Sequence, residues 1–228
     1  TRGWGTRRLA ARHVSVQLTP GPGVTIVGTS LMVQVALKAA ELLSKDGIEA
    51  EVVDIGTGGT ATLSVDGSFS EKPDVAIMVF GEDPYAEMQG DVGMLAYKPR
   101  NPADWELLKK LRSEGIPVVS LFITGRPLWV NRELNASDAF VAIWQPGTEG
   151  AGVADVIFKN AAGEINYDMK GRLSFSWPKH PRQTLLNVGD ENYDPLFAYG
   201  FGLNYGDADT LGDDLSEEGI VFEASSAI

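Results

Sequence analysis

Apolar positions in this chain come as short unbroken runs, and the stretches between them carry helical spacing. VTIVG (24–28) is a β-branched run that predicts a strand. Beyond it Ser30 is placed as an N-cap, and Met32, Val35, Ala36, Ala39 and Leu43 repeat along one face of a helix that Gly47 ends. IEAEVVDI (48–55) reads as the next strand, so 24–55 forms a βαβ unit with parallel strands and a right-handed crossover. Residues 56–71 read as a loop with at most one minor strand.

DVAIMVFG (74–81) is apolar at consecutive positions, the pattern of a central strand covered on both faces in a parallel sheet. A long connection, 82–100, precedes NPADWELLKKLRSEG. There Asn101 caps a helix, Pro102 takes its first position, and Gly115 closes it. IPVVSLFIT (116–124) and AFVAIW (139–144) are two further buried strands, and EGAGVADVIF (149–158) is a helix with Thr148 as its cap. From about 160 the rhythm breaks into Gly, Asp, Asn and aromatic residues, read as an irregular C-terminal cap. The fold class is therefore α/β, an open, mostly parallel sheet sandwiched by helices with flavodoxin-like layering. The domain occupies 24–206, preceded by a segment 1–23 of uncertain order and followed by an acidic linker or tail, 207–228.

Composition narrows the function. The 228 residues carry 31 acidic against 19 basic side chains, a net charge of −12, which repels phosphate backbones and anionic lipid. Nucleic acid and membranes are thus excluded as partners, and neutral sugars are not. Cysteine is absent and only His13 and His180 are present, so thiolate chemistry is out and no metal site or cofactor is expected. Neither histidine lies near a hydrolase or zinc motif.

The candidate chemistry lies in FGEDPYAEMQGD (80–91), where four carboxylates surround one tyrosine just past a buried strand. Ligands of open parallel sheets bind beyond the carboxyl ends of the strands. A carboxyl set among apolar neighbours such as Tyr85 and Met88, with like charges close by, keeps its proton and can donate it. Glu87 and Asp91, farther from the strand, are the better placed of the four. The competing reading is a solvated loop opened by the Asp83-Pro84 turn. Arg126 and Trp129 in TGRPLW also follow a strand end. There they meet a sugar, or else Arg126 pairs with a carboxylate and Trp129 packs the core.

Five segments in order, GEDPYAEMQGD, SLFITGRPLWVN, DAFVAIWQPGTEGAGVADVIF, GRLSFSWP and NVGDENYDPLFAYGFGL, resemble the second domain of glycoside hydrolase family 3 enzymes, over about 72–206. The resemblance implies an (α/β)6-sandwich that pairs with a TIM-barrel domain of the same enzyme. It also implies a retaining, exo-acting β-glucosidase or β-glucanase whose nucleophile lies in the barrel and whose acid/base is the residue matching Glu87. Asp91, Tyr85, Trp129 and Arg126 are read as substrate-binding, the substrate being a β-glucoside or β-glucan oligosaccharide. Without the barrel the chain is expected to be an inactive part of the enzyme, and the family implies a periplasmic or secreted location. Residues about 24–57 look more like the C-terminal domain of the transketolase and 2-oxo acid dehydrogenase β-subunit group. The alternative function is a non-catalytic carbohydrate- or partner-binding α/β module.

Overall fold

The computed structural model describes residues 74–160, 162–208, 211 and 214–220, together with the backbone of 24–28 and 50–54. Five parallel strands, β1 (Val24–Gly28), β2 (Ala50–Asp54), β3 (Val75–Gly81), β4 (Val118–Ile123) and β5 (Ala139–Trp144), form one sheet in the order β2-β1-β3-β4-β5. The order reverses between β1 and β3, the point at which doubly wound sheets open a crevice. The helix expected after Ser30 and the loop 56–71 lie outside the described residues.

Every residue of β3 and β4 is buried, which is why both read as continuous apolar runs. Alternate side chains divide between two cores. Ala76, Met78, Phe80, Val118, Phe122 and Phe140 face one side, Val75, Ile77, Val79, Val119, Leu121 and Ala139 the other. The first core is closed by Leu108 and Leu111 of α1 (Ala103–Ser113), the second by Ile157 of α3 (Gly150–Ile157). A bulge in β5 opposite Phe122 and Ile123 ends that ladder, with Trp144 at φ 52°.

Helix α1 stops as its sequence predicts. Gly115 takes φ 71° and donates to the Arg112 carbonyl, and the Ile116 amide reaches back to Leu111, a Schellman motif. Its start differs from expectation, because Pro102 occupies the cap position and Asn101 reaches only the Ala103 amide, at 3.4 Å. Thr148 likewise does not cap α3. A 3-10 turn, Gly147–Glu149, leads into that helix, and the Thr148 hydroxyl turns to Glu149.

One short helix, α2 (Asn131–Asn135), was not predicted. Its letters, NRELN, are polar, yet Asn131, Arg132, Glu133 and Leu134 are all buried. Glu133 is 1% exposed, with Oε1 3.7 Å from Arg132 and Oε2 without a hydrogen-bond partner among the described residues. Burial pushes its carboxyl up to about 7, against the opposing pull of Arg132.

A carboxyl held higher in the folded than in the unfolded chain favours folding most when both states are protonated. That contribution is lost as pH rises from about 4.5 to about 7. At roughly 1.4 kcal/mol per pH unit of separation, the loss comes to roughly 3 kcal/mol. Urea titrations at pH 4.5 and 8 should therefore show a smaller drop in Glu133→Gln than in the parent chain. Equal drops would show that this carboxyl does not govern the pH dependence.

Candidate active-site loop

Strand β3 runs into Gly81, which packs so closely on β4 that a Cβ there would overlap the Ile123 carbonyl oxygen. The next amide, Glu82, donates to that same oxygen at 3.0 Å. The chain then leaves the sheet, and 83–89 are exposed throughout. A turn spans 87–90, held by the Gly90 amide on the Ala86 carbonyl and the Asp91 amide on the Met88 carbonyl. Met88 adopts φ 65°, a left-handed conformation that is costly for a residue with a side chain. Farther on, Ala96 bridges to Trp129, which ties the end of the long connection back to the segment after β4.

The four carboxylates have separate fates. Glu82 is held within the domain. Its Oε1 accepts from Arg126 Nε at 2.9 Å and Nη2 at 2.8 Å, and its Oε2 accepts from the Thr124 hydroxyl at 2.7 Å and the Gly125 amide at 3.3 Å. Asp83, Glu87 and Asp91 are exposed, and Glu87 has no ion pair or side-chain hydrogen bond among the described residues. The sequence reasoning had not singled out Glu82 or Thr124. Parallel pairing supplied the missing signal, since Gly81 lies opposite Ile123 and the residues just beyond each must therefore meet.

Tyr85 and Arg126 do come together. The guanidinium carbon sits 4.4 Å from the ring centroid, and Arg126 Nη1 also donates to the Gly90 carbonyl. The tyrosine covers Gly90, where a Cβ would meet the ring at 2.5 Å, and its hydroxyl closes over Gly125. Arg126 thus directs Nε, Nη1 and Nη2 to partners inside the domain, the carboxylate-paired alternative of the sequence reading. Trp129 is corrected too. It is 1% exposed, and its backbone is bonded to Leu95 and Tyr97, so it offers no surface to a ligand.

The loop itself does not bury Glu87 as expected. Met88 is 80% exposed and Tyr85 is partly open, so any apolar enclosure of that carboxyl has to come from another surface. Such a surface has matching material on this domain. Phe175, Leu185, Val188 and Tyr199 are large apolar side chains standing in solvent. Phe175, Val188 and Tyr199 line a cavity of about 360 Å3 that begins at Arg126. A larger cavity of about 400 Å3 runs beside β5, between Phe140, Trp144, Val153 and Phe201, and shares no residue with the loop 82–91.

Asp104 is buried below the loop, where it accepts from the Tyr97 hydroxyl at 2.6 Å and from Lys98 at 3.3 Å. Tyr97 also lies 2.9 Å from the Gly81 carbonyl, and burial together with Asp104 pushes its phenol far up. That hydroxyl stays neutral and shares its single proton between Asp104 and the Gly81 carbonyl at the end of β3.

Residues 6–205 match the glycosyl hydrolase family 3 C-terminal domain. The match takes in 24–57, the stretch whose letters look more like the transketolase group, and β1 and β2 lie in the same sheet as the rest. The chain is 28% identical over 158 residues to a periplasmic beta-glucosidase of Salmonella typhimurium, covering 60% of this chain and 20% of that protein. The crystal structure of an exo-1,3/1,4-beta-glucanase from a Pseudoalteromonas species superposes with a TM-score of 0.77 at 37% identity, over 91% of this chain and 28% of that one. A beta-glucosidase from Listeria innocua, at 23% identity and a TM-score of 0.57 over 83% of this chain and 30% of that one, shares the fold. The chain spans between 20% and 30% of the length of these relatives.

Proposed function

Because the chain belongs to glycosyl hydrolase family 3 as its C-terminal domain, we propose that it supplies the general acid/base of a retaining, exo-acting β-glucosidase or β-glucanase. Glu87 carries that role. The nucleophilic aspartate comes from a TIM-barrel domain of the same enzyme, and the substrate is the terminal β-D-glucosyl residue of a β-glucoside or β-glucan oligosaccharide. The observation that carries this reading is the contrast within one loop. Glu82 is tied to Arg126, whereas Glu87 stands exposed at the tip of a turn whose base is held.

An acid/base must reach the reacting oxygens and exchange a proton with them in each turnover, whereas both oxygens of Glu82 are already engaged inside the domain. In a retaining mechanism Glu87 first protonates the leaving oxygen while the nucleophile attacks the anomeric carbon. Glu87 then deprotonates the water that releases the sugar. The two carboxyls must approach to about 5–5.5 Å, so the barrel has to close directly over the turn. The exposed Tyr85, Met88, Phe175 and Tyr199 supply apolar surface for that closure, which would also remove water from around Glu87. Asp91, exposed at the base of the turn, is assigned to the substrate side of the junction. A periplasmic or secreted location is proposed with the activity, in line with the periplasmic relative.

The test compares the chain alone with a protein carrying both domains, on an aryl β-glucoside. The chain alone should show no turnover above its Glu87→Ala variant. The two-domain protein should release glucose first as the β-anomer, read by proton NMR. Robust hydrolysis by the chain alone, or two-domain activity indifferent to Glu87→Ala, would overturn the assignment.

A further inference from the structure

Loop 82–91 leaves the sheet and returns without a strand or helix of its own, yet its tip has to be placed to within a fraction of an ångström for the chemistry proposed above. A single side chain reaches both ends of the loop. Arg126 holds Glu82 at the start through Nε and Nη2, takes the Gly90 carbonyl at the end through Nη1, and places its guanidinium carbon 4.4 Å from the Tyr85 ring centroid between them. Glu82 is fixed in turn by Thr124 and Gly125, so the arginine grips a rigid anchor at the end of β4. Tyr85 fills the space over Gly90 and Gly125 that side chains there would otherwise occupy.

We propose that Arg126 is a positioning residue that sets the location of Glu87 by clamping the two ends of its loop, with no contact to the substrate. This inference rests on the acid/base reading for its catalytic consequence and on the geometry alone for its mechanical one. A planar guanidinium directs donors two ways and stacks a ring with its face, whereas an ammonium supplies neither the fork nor the flat face. Met88 at φ 65° is the complementary sign. A backbone conformation of that kind persists only where the surroundings enforce it, and on the tip itself two backbone hydrogen bonds are the only others seen among the described residues. Releasing the clamp lets the turn relax and carries Glu87 off line. A displacement of about 1 Å can cost roughly a hundredfold in rate.

Two measurements on Arg126→Lys and Glu82→Gln separate the possible outcomes. On the 228-residue chain, hydrogen exchange of the Gly90 and Asp91 amides, the two on the tip that donate hydrogen bonds, should speed up at least tenfold in both variants, while amides of β3 and β4 stay as protected as before. On a protein carrying both domains, kcat for an alkyl β-glucoside should fall roughly a hundredfold with KM within about threefold. For a dinitrophenyl glucoside, whose leaving group needs no proton, the loss should shrink in kcat/KM and persist in kcat, because the second step still needs Glu87 as base.

Unchanged exchange in the loop overturns the clamp. So does a rise in KM at constant kcat, which would make Arg126 a direct substrate contact. Faster exchange combined with activity indifferent to Glu87→Ala leaves the clamp standing and removes the acid/base role instead, so the two failures are distinguishable.

Discussion

Replacing Glu87 with glutamine, in a protein that joins this domain to a barrel, is expected to lower kcat/KM on an alkyl β-glucoside by about 10²–10⁴-fold, the range of a positioned acid/base. Shape and hydrogen bonding survive this change, so the loss reports the missing proton. Leaving-group dependence provides the internal check. A dinitrophenyl leaving group departs without protonation, so the first chemical step is spared, and the second step, in which water must be deprotonated, becomes limiting. A burst of dinitrophenol followed by slow turnover is the expected trace. Glu82→Gln should behave differently, since Glu82 acts through Arg126. It should displace the loop without abolishing proton transfer, and its loss should be smaller than that of Glu87→Gln.

The largest effect on stability is expected at Trp129. Truncating a buried tryptophan to alanine removes its packing and leaves a cavity, typically about 3–5 kcal/mol. For a domain of this size each kcal/mol moves the midpoint by about 2–4 °C, so Trp129→Ala should melt roughly 10 °C below the parent. Any loss of activity should follow the fraction unfolded. Glu87→Ala, at an exposed turn, should leave the melting temperature within about 1 °C. A Trp129→Ala protein that melts normally but shows raised KM would return this residue to the substrate site, against its 1% exposure.

The strands were legible because β3 and β4 are covered on both faces and so appear as unbroken apolar runs. Helix α1 was legible at its end, where Gly115 takes the left-handed conformation that only glycine adopts freely. Helix α2 was not. NRELN carries no apolar period, and its burial depends on partners far along the chain, with Asn131 bonded to Ser216 and Asn135 to Leu215.

The candidate site divided in the same way. That chemistry belongs in the acidic loop followed from its place after a central strand. Which of four carboxylates would be tied down did not, because the Glu82 to Arg126 pairing joins residues 44 apart through strand register. Charge counting treats the four alike, distance from the strand favours Glu87 and Asp91, and only the resemblance to the family chooses Glu87 between them. Trp129 misleads for a related reason. A tryptophan after a strand end suits a sugar platform as well as it suits a core, and only the bridge to Ala96 decides between them.

The most direct test of the acid/base assignment uses azide. In Glu87→Ala the second half-reaction lacks a base to activate water, but azide needs none and can attack the glucosyl enzyme unaided. With a dinitrophenyl β-glucoside, added sodium azide should raise the steady-state rate of the two-domain Glu87→Ala protein severalfold or more and yield β-glucosyl azide as the product. An unaccelerated rate with glucose as the sole product would contradict the role given to Glu87.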